Sequence, residues 1–311
     1  MCEIATNKRK ISRRKFAGFG ALGVLALGGI GGFELVDQNI IPGKQLLNQL
    51  DGACNVNVPD LSFFPVGRSY VGNFYSRYRN TKVGYEIGYP PNYKKGDAIP
   101  LVVMLHGYGG NHTNALSSMT PAQAVALKVD NSPLTPMALV TVDGGGGYWN
   151  PHPNDDPMSM VLHELMPICN DLGLGVPPRS VAVMGISMGG YGALMFAEQF
   201  PEIFGASAAI SPAIWLSYSE ARSANAGAFF NSNAFDKYNL FNSLDSLSKV
   251  SVRIGAGVSD PFYPNVEVFA KRLPASAVID FSKGCHTGPF FVSQEPASLL
   301  FLSKYFEYLN A

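Results

Sequence analysis

The sequence predicts a doubly wound α/β domain built on a mostly parallel sheet. Three observations support this prediction. Short apolar runs rich in β-branched residues alternate with helix-like segments along most of the chain. At 311 residues, with 47% apolar and 15% charged residues, the chain can bury a large core. One apolar run also ends in Gly-x-Ser-x-Gly and continues into a helix-like segment, which is typical of a sharp strand-to-helix turn.

The first 33 residues differ from the rest of the chain. A basic stretch containing Arg13 and Arg14 leads into an uncharged, glycine-rich run that ends at residue 33. Its glycines argue against a buried helix, because each costs about 1 kcal/mol relative to alanine. We therefore expect an export signal that uses the twin-arginine translocase, carrying the protein across the bacterial cytoplasmic membrane. Signal cleavage stays open, so the product is secreted or tethered to the membrane through residues 16–33.

The charge balance argues against a nucleic-acid partner. Without residues 1–33, the 23 basic residues fall by 6 to 17 and the 23 acidic residues by 1 to 22, a net charge of −5. A Gly-x-Gly-x-x-Gly pattern at residues 18–23 is not a dinucleotide site, because basic residues and not a strand precede it. Zinc is not expected, since the chain has no Cys-x-x-Cys and His163-Glu164 lacks the second histidine of His-Glu-x-x-His. We predict no metal and no cofactor.

The remaining chain is expected to form one domain. Residues 34–66 contain prolines that interrupt any period, so they are predicted to be a linker and N-terminal extension, with the domain spanning residues 67–311. An antiparallel hairpin is expected first, from Ser69 to Arg77 and from Lys82 to Tyr89. Strands are then predicted at Ile99 to Leu105, Met137 to Val142, Val181 to Ile186, Ala206 to Ile210, Val252 to Ala256 and Ala277 to Phe281. Helices are predicted at Ala122 to Val129, Met158 to Leu172, after the serine to Gln199, at Asn265 to Arg272 and at Pro296 to Leu309.

An aromatic-rich insertion separates two of these strands. It covers about residues 213–249 and includes Trp215. We predict that it forms a cap over the serine of the Gly-x-Ser-x-Gly turn, where aromatic side chains would suit an acyl or aryl group.

Three residues are predicted to carry nucleophilic catalysis. Ser187 occupies the turn, and a serine hydroxyl needs a base to remove its proton and an acid to orient that base. This architecture places the three in the order serine, acid, histidine, and His286 is the only histidine after Ser187. Eight acidic residues lie between them. Asp260 is selected, because it follows a predicted strand at the carboxyl end where ligand-facing loops collect.

Acyl transfer also requires hydrogen-bond donors for the oxyanion. The N–H groups of Met188 and Tyr108 are predicted to supply them, from the residue after the nucleophile and from the glycine-rich loop after the third strand. His106, which precedes that loop, is expected to form local hydrogen bonds. Trp149 and Asn150 follow another strand, and we expect them, with Trp215, to line a substrate cleft.

Cysteine usage predicts one disulfide. Cys54, Cys169 and Cys285 lie outside the export segment. We expect Cys54 to pair with Cys169, because a bridge at Cys285 would risk disturbing the neighbouring His286.

With these residues placed, the chain resembles the putative-esterase family of α/β-hydrolases, which includes S-formylglutathione hydrolase, feruloyl esterases and mycolyltransferases. The resemblance covers roughly residues 82 to 310. It rests on Tyr89 to Tyr93, His106 to Gly110, Glu164 to Pro167, Gly185 to Gly190, Pro201 to Gly205, Ser211-Pro212, Asp260 and Gly284-Cys285-His286. It implies an α/β-hydrolase fold and a Ser-Asp-His esterase without metal or cofactor. Cys285 to Gly288 departs from the family's usual Gly-His-Asp-Trp.

We therefore predict an exported serine hydrolase that cleaves a small-molecule, polysaccharide or lipid ester through an acyl-Ser187 intermediate. An acyltransferase of the mycolyltransferase type shares that intermediate, so the sequence does not separate the two. A non-catalytic surface binding protein on the same scaffold is the alternative from another class.

Overall fold

The computed structural model of the protein describes residues 44–176 and 180–309. The predicted export segment, residues 1–33, lies outside the described residues. The chain divides into a unit that ends at Ala53 and a second unit from Cys54 to Ala311. In the first unit, the described residues form helix α1, Lys44–Leu50. None of the helices in the described ranges is long and apolar enough to cross a bilayer.

The second unit begins earlier than the predicted domain start at residue 67. The Lys128 N–H donates to the Ser62 carbonyl, and the Phe64 N–H donates to the Ala126 carbonyl. Residues 54–66 therefore belong to the second unit. The backbone hydrogen bonds that hold them there are not predicted by composition alone.

An eight-stranded sheet forms the centre of this unit, within the described residues. Its order is β1-β2-β6-β3-β7-β8-β9-β10; the pairs β1–β2 and β2–β6 are antiparallel, and every pair from β6–β3 onward is parallel. The strands are β1 Ser69–Ser76, β2 Thr81–Gly88, β3 Leu101–Leu105, β6 Ala138–Val142, β7 Val181–Ile186, β8 Phe204–Ile210, β9 Ser251–Gly257 and β10 Val278–Ser282. The doubly wound, mostly parallel fold predicted from the sequence is confirmed.

Helices cover both faces of the sheet. On one face, α5 (Met188–Gln199) and α9 (Tyr263–Ala270) bury residues such as Phe196 and Phe269. On the other face, α2 (Pro121–Val125) and α10 (Gly288–Leu309) bury Val125 and Phe306. The central strands are almost entirely apolar, with Thr141 and Ser207 as exceptions, because both of their faces are buried.

The predicted helix Met158 to Leu172 contains a π-helical turn. It runs as α3 (Pro157–Met160), the π turn Val161–Leu165, and α4 (Met166–Asp171). Pro167 has no N–H to donate to the preceding turn, and the Met166 N–H reaches back five residues to the Val161 carbonyl.

Two other helix boundaries were wrong. The helix predicted to reach Val129 ends at Val125, and the chain then forms the short hairpin of β4 (Lys128–Val129) and β5 (Ser132–Pro133). The last helix starts at Gly288 and not at Pro296, because burial of Phe290 and Val292 offsets the single hydrogen bond that the internal proline removes.

Three short helices occupy the predicted cap, namely α6 (Tyr218–Ala224), α7 (Ser232–Tyr238) and α8 (Leu244–Leu247). Phe229, between α6 and α7, is buried and lies edge-on to Tyr191 of α5, with ring centroids 5.8 Å apart, whereas the neighbouring Phe230 is exposed. The Tyr191 hydroxyl donates to the Tyr238 carbonyl. The cap is thus built onto the helix that follows Ser187.

Candidate active site

Ser187 stands at the joint between β7 and α5. Its backbone adopts φ +57° and ψ −115°, which few residues with a side chain adopt. A Cβ on Gly185 would overlap the Gly189 carbonyl, and one on Gly189 would overlap the Leu105 carbonyl. Glycine at both positions therefore allows the strand and helix to approach closely enough to form the turn.

The other two predicted catalytic residues lie at the same edge of the sheet. Asp260 follows β9 and His286 follows β10, and the carboxyl ends of these parallel strands meet beside the end of β7. The three loops therefore bring His286 next to Ser187, which is 99 positions earlier in the sequence, and next to Asp260, which is 26 positions earlier.

The three side chains form a continuous hydrogen-bonded line. His286 Nε2 lies 2.8 Å from Ser187 Oγ, and His286 Nδ1 lies 2.8 Å from Asp260 Oδ2. Because a carboxylate only accepts, Nδ1 carries the proton and donates to Asp260, which leaves Nε2 free to accept from the Ser187 hydroxyl. This tautomer is the one a general base at Ser187 requires.

Asp260 is held in place by its surroundings. Its side chain is 1% exposed, while that of His286 is 19% exposed. The second carboxylate oxygen, Oδ1, accepts from the Phe262 N–H at 2.8 Å. The rings of Phe262 and Phe291 lie edge-on to the imidazole, at 5.2 and 5.1 Å. The aspartate therefore orients the histidine, and two aromatic rings limit the histidine's rotation.

Two backbone segments that were predicted to supply oxyanion donors lie near Ser187. Met188 is the first residue of α5, and the first N–H groups of a helix have no partner within it. The loop after β3 passes next to the serine: a Cβ on Gly107 would lie 3.6 Å from Ser187 Cβ. Tyr108 follows in this loop and is 65% exposed. The site therefore has the helix N-terminus on one side and the Gly107–Tyr108 backbone on another.

His106 supports this loop, as predicted. It is fully buried, and burial lowers its pKa, so the ring is neutral. Its Nε2 accepts from the Gly144 N–H at 2.9 Å, which leaves Nδ1 to donate to the Gly107 carbonyl at 2.8 Å. The ring joins the loop after β3 to the loop after β6.

The predicted substrate contacts of Trp149, Asn150 and Trp215 are corrected by their burial. Trp149 and Asn150 are fully buried and Trp215 is 4% exposed, so none presents an open surface to a ligand. The turn before Trp149 folds its indole against Gly144 and Gly192, and its Nε1–H donates to the His106 carbonyl. Asn150 donates to the Ala228 carbonyl of the cap. Trp215 packs against Tyr148 and Phe262, with ring centroids 4.7 and 5.8 Å away.

The predicted disulfide partner was also wrong. Cys54 is bonded to Cys285, and Cys169 is free and buried. The prediction assumed that a bridge next to His286 would disturb it, yet the histidine keeps both of its hydrogen bonds. The odd number of cysteines was the only sequence signal of this bond, and it does not select the pair.

Comparison with known proteins identifies the family. The family model described as Putative esterase matches residues 76–279, well over half of the chain. The chain belongs to this esterase family. It is accordingly a carboxylic ester hydrolase. No curated protein matches the chain significantly.

Solved structures share the α/β-hydrolase fold of this esterase. A ferulic acid esterase is 18% identical with a TM-score of 0.66, covering 77% of this chain and 99% of its own. An S-formylglutathione hydrolase from Agrobacterium tumefaciens is 15% identical with a TM-score of 0.62, covering 81% of this chain and 100% of its own. A fluorophosphonate-binding serine hydrolase of Staphylococcus aureus is 13% identical with a TM-score of 0.62, covering 79% and 99%. At these identities the likeness establishes the fold.

Proposed function

We propose that this esterase is an exported serine hydrolase that cleaves carboxylic esters through an acyl intermediate on Ser187. The observation that carries the proposal is the line of two 2.8 Å hydrogen bonds from Ser187 through His286 to Asp260. Nucleophile, base and orienting acid stand in the geometry that acyl transfer needs.

The reaction proceeds in two halves. His286 Nε2 takes the hydroxyl proton as Ser187 Oγ attacks the ester carbonyl, and the resulting imidazolium is stabilised by Asp260. The histidine then gives this proton to the departing alkoxide, which leaves as the alcohol and forms the acyl-serine. Water attacks the acyl-serine with His286 again as base, and the acid leaves as Ser187 recovers its proton. The N–H groups of Met188 and Tyr108 bind the oxyanion in both halves.

The substrate is an ester with an apolar or aromatic acyl part. The partly buried rings of Phe262 and Phe291 flank His286, so the reacting carbonyl approaches next to aromatic surface. Among proteins of this fold are ones named ferulic acid esterase and S-formylglutathione hydrolase, whose acyl groups differ widely in size. A chain-length series of p-nitrophenyl esters therefore defines the acyl range. The alcohol part of the proposed natural substrate belongs to a small molecule, a polysaccharide or a lipid.

A fluorophosphonate probe and Ser187→Ala test the assignment together. The probe should label wild type at Ser187, and the variant should lose labelling and at least roughly a thousandfold in kcat while keeping its circular dichroism spectrum. Ser223→Ala, at an exposed serine of the cap, is the matched control and should keep full activity. A wild-type protein that resists the probe would support a non-catalytic binding protein instead.

Product analysis separates hydrolysis from acyl transfer. We expect the free acid as the main product when a sugar or lipid alcohol is added, because water is the acceptor in the proposed reaction. An ester of the added alcohol as the main product would identify an acyltransferase.

Export by the twin-arginine translocase is part of the proposal. A disulfide between Cys54 and Cys285 supports it, because such bonds persist outside the reducing cytoplasm. The double substitution Arg13→Lys and Arg14→Lys should retain the protein in the cytoplasm, as measured by cell fractionation with wild type as control. Unchanged export of the double variant would contradict this route. Detergent-dependent release of wild type would reveal a tether through residues 16–33.

A further inference from the structure

We infer that the Cys54–Cys285 disulfide is a positioning element of the active site, which holds His286 between Ser187 and Asp260. This inference rests on the proposed function of these three residues. Cys285 directly precedes His286, is 5% exposed, and lies 4.9 Å from Cys54 between Cα atoms. The bond therefore attaches the histidine's own loop, one residue away from the base, to a segment 231 positions earlier.

The loop that carries His286 is short and irregular, and lies between the end of β10 at Ser282 and the start of α10 at Gly288. On its N-terminal side, the Gly284 carbonyl accepts from the Ser259 N–H, in the turn that holds Asp260. On its C-terminal side, the Phe291 N–H donates to the Thr287 carbonyl. These bonds hold the two sides of the loop, and the disulfide adds a covalent attachment between them, next to the catalytic base.

The other end of the bond has an anchor of its own. Cys54 begins a segment that pairs with the chain after α2 eight residues later, where the Ser62 carbonyl accepts from the Lys128 N–H at 2.8 Å. Phe63 also forms an isolated antiparallel bridge with Leu127. The disulfide thus ties the His286 loop to a segment that is itself attached beside the sheet, on the face that α2 covers.

Catalysis is sensitive to the position that this attachment controls. Both imidazole nitrogens need partners at hydrogen-bond distance, and a misplacement of about 1 Å can cost on the order of a hundredfold in rate. Loss of the disulfide should therefore lower kcat by about 10- to 100-fold. KM should change by less than about twofold, because neither cysteine is proposed to bind the substrate. Cys54 and Cys285 are positioning residues, since they act through His286.

Cys54→Ser tests this without altering the loop itself, and Cys54→Ser/Cys285→Ser removes the leftover thiol as well. Cys169→Ser, at the free and buried cysteine, is the matched control and should keep wild-type kcat. The readouts are kcat and KM with p-nitrophenyl acetate and the melting temperature. The low-field proton resonance of the His286–Asp260 hydrogen bond is the third readout, and it should broaden or shift in both Cys54 variants.

Reduction of the folded wild-type protein is the second test, which does not depend on the variants folding. Dithiothreitol is oxidised to its cyclic disulfide as the protein's S–S bond is reduced to two thiols. At a temperature where circular dichroism shows a folded protein, kcat should fall to the value of Cys54→Ser and recover on reoxidation. The Cys54 variants should not respond to dithiothreitol.

Three outcomes would overturn the inference: a kcat of Cys54→Ser within about twofold of wild type, an unchanged low-field resonance, or a lower melting temperature with kcat retained. The last would show a purely stabilising bond. Failure of the proposed function is a separate result, because it would appear as a wild-type protein without Ser187-dependent activity. The resonance needs no substrate, so it still tests the inference in that case.

Discussion

At the scale of single residues, Ser187 holds a backbone conformation that costs on the order of 1–3 kcal/mol. The surrounding hydrogen bonds determine this conformation: the Ser187 N–H donates to the Ile210 carbonyl, and its own carbonyl accepts from the Tyr191 and Ala213 N–H groups. This backbone conformation places the side chain at the edge of the sheet, where Oγ lies within hydrogen-bond distance of His286. The helix and the strand next to it thus stabilise a geometry that the serine alone would avoid.

Gly189→Ala should break this arrangement. The added Cβ would overlap the Leu105 carbonyl, which belongs to a central strand and cannot move aside. We expect a loss of roughly 1–3 kcal/mol in unfolding free energy, and a lower kcat in the protein that still folds. Urea denaturation and ester hydrolysis measure the two effects. Gly227→Ala, in an open part of the cap, is the control and should stay within about 0.5 kcal/mol of wild type.

Asp260→Asn should retain the fold and lose activity. The amide has a single acceptor oxygen, which the Phe262 N–H occupies, so its NH2 group faces His286 Nδ1 and no longer holds the imidazole in the tautomer that serves Ser187. The corresponding change in a serine protease lowers kcat by about 10⁴, and we expect a loss of similar order. Steady-state kinetics measure it. Asp236→Asn, at an exposed acid of the cap, is the control, and equal losses in both variants would reject Asp260 as the orienting acid.

At the scale of elements, the loops after β3 and β6 are held together by polar contacts. The Asp143 carboxylate accepts from the His112 N–H and Nδ1 at 2.8 and 2.7 Å and from the Gly84 N–H at 2.9 Å. Burial alone would raise the pKa of Asp143, but these bonds to the charged form lower it below its usual value. The loop that carries Gly107 and Tyr108 is thereby held to the loop after β6 at His112, in addition to its attachment through His106.

Helix α5 carries a buried carboxyl, Glu198, whose protonation should make stability depend on pH. It is 2% exposed, and burial raises its pKa from 4.5 to about 8. Because the folded state holds this proton more tightly than the unfolded state, the group costs stability as pH rises from about 5 to 8.

Glu198→Gln should remove this cost. The unfolding free energy of the variant should exceed that of wild type by a margin that grows from pH 5 to pH 8, reaching a few kcal/mol at about 1.4 kcal/mol per pKa unit. Urea denaturation across this pH range measures the difference. Glu202→Gln, at an exposed position after the same helix, is the control. A margin independent of pH would show that Glu198 is charged in the folded protein.

At the scale of the whole molecule, both the sheet and the disulfide bring together segments that are distant in the sequence. Four adjacent parallel strands, β7 to β10, place the three loops of the site at one edge. The disulfide then closes a covalent loop between Cys54 and Cys285 over most of the described chain. Closing such a long loop removes conformational entropy from the unfolded state.

Reduction should therefore destabilise the protein by roughly 2–5 kcal/mol. The midpoint of urea denaturation measures this with and without dithiothreitol, at fixed pH. Cys54→Ser is the control, because it should denature at the reduced wild-type midpoint under both conditions. A wild-type midpoint that reductant leaves unchanged would contradict a stabilising role for the bond.

Some parts of this structure could be predicted because they depend on local pattern. The strand-turn-helix at Ser187 follows from glycines on either side of the serine between an apolar run and a helix former. Asp260 and His286 follow from chain order and from their positions after strands. The start of α10 could not be predicted, because burial of Phe290, a tertiary effect, extends the helix upstream of Pro296.

The sequence by itself therefore determined the layered α/β fold, the esterase resemblance and the three side chains that meet at the edge of the sheet. These follow from periodicity, motif and order along the chain. Only the tertiary structure decided that Cys54 bonds to Cys285, that Trp149 and Trp215 are buried, and that Asn150 holds the cap. Each of these depends on contacts between residues far apart in the sequence, and such contacts exist only after the layers have packed.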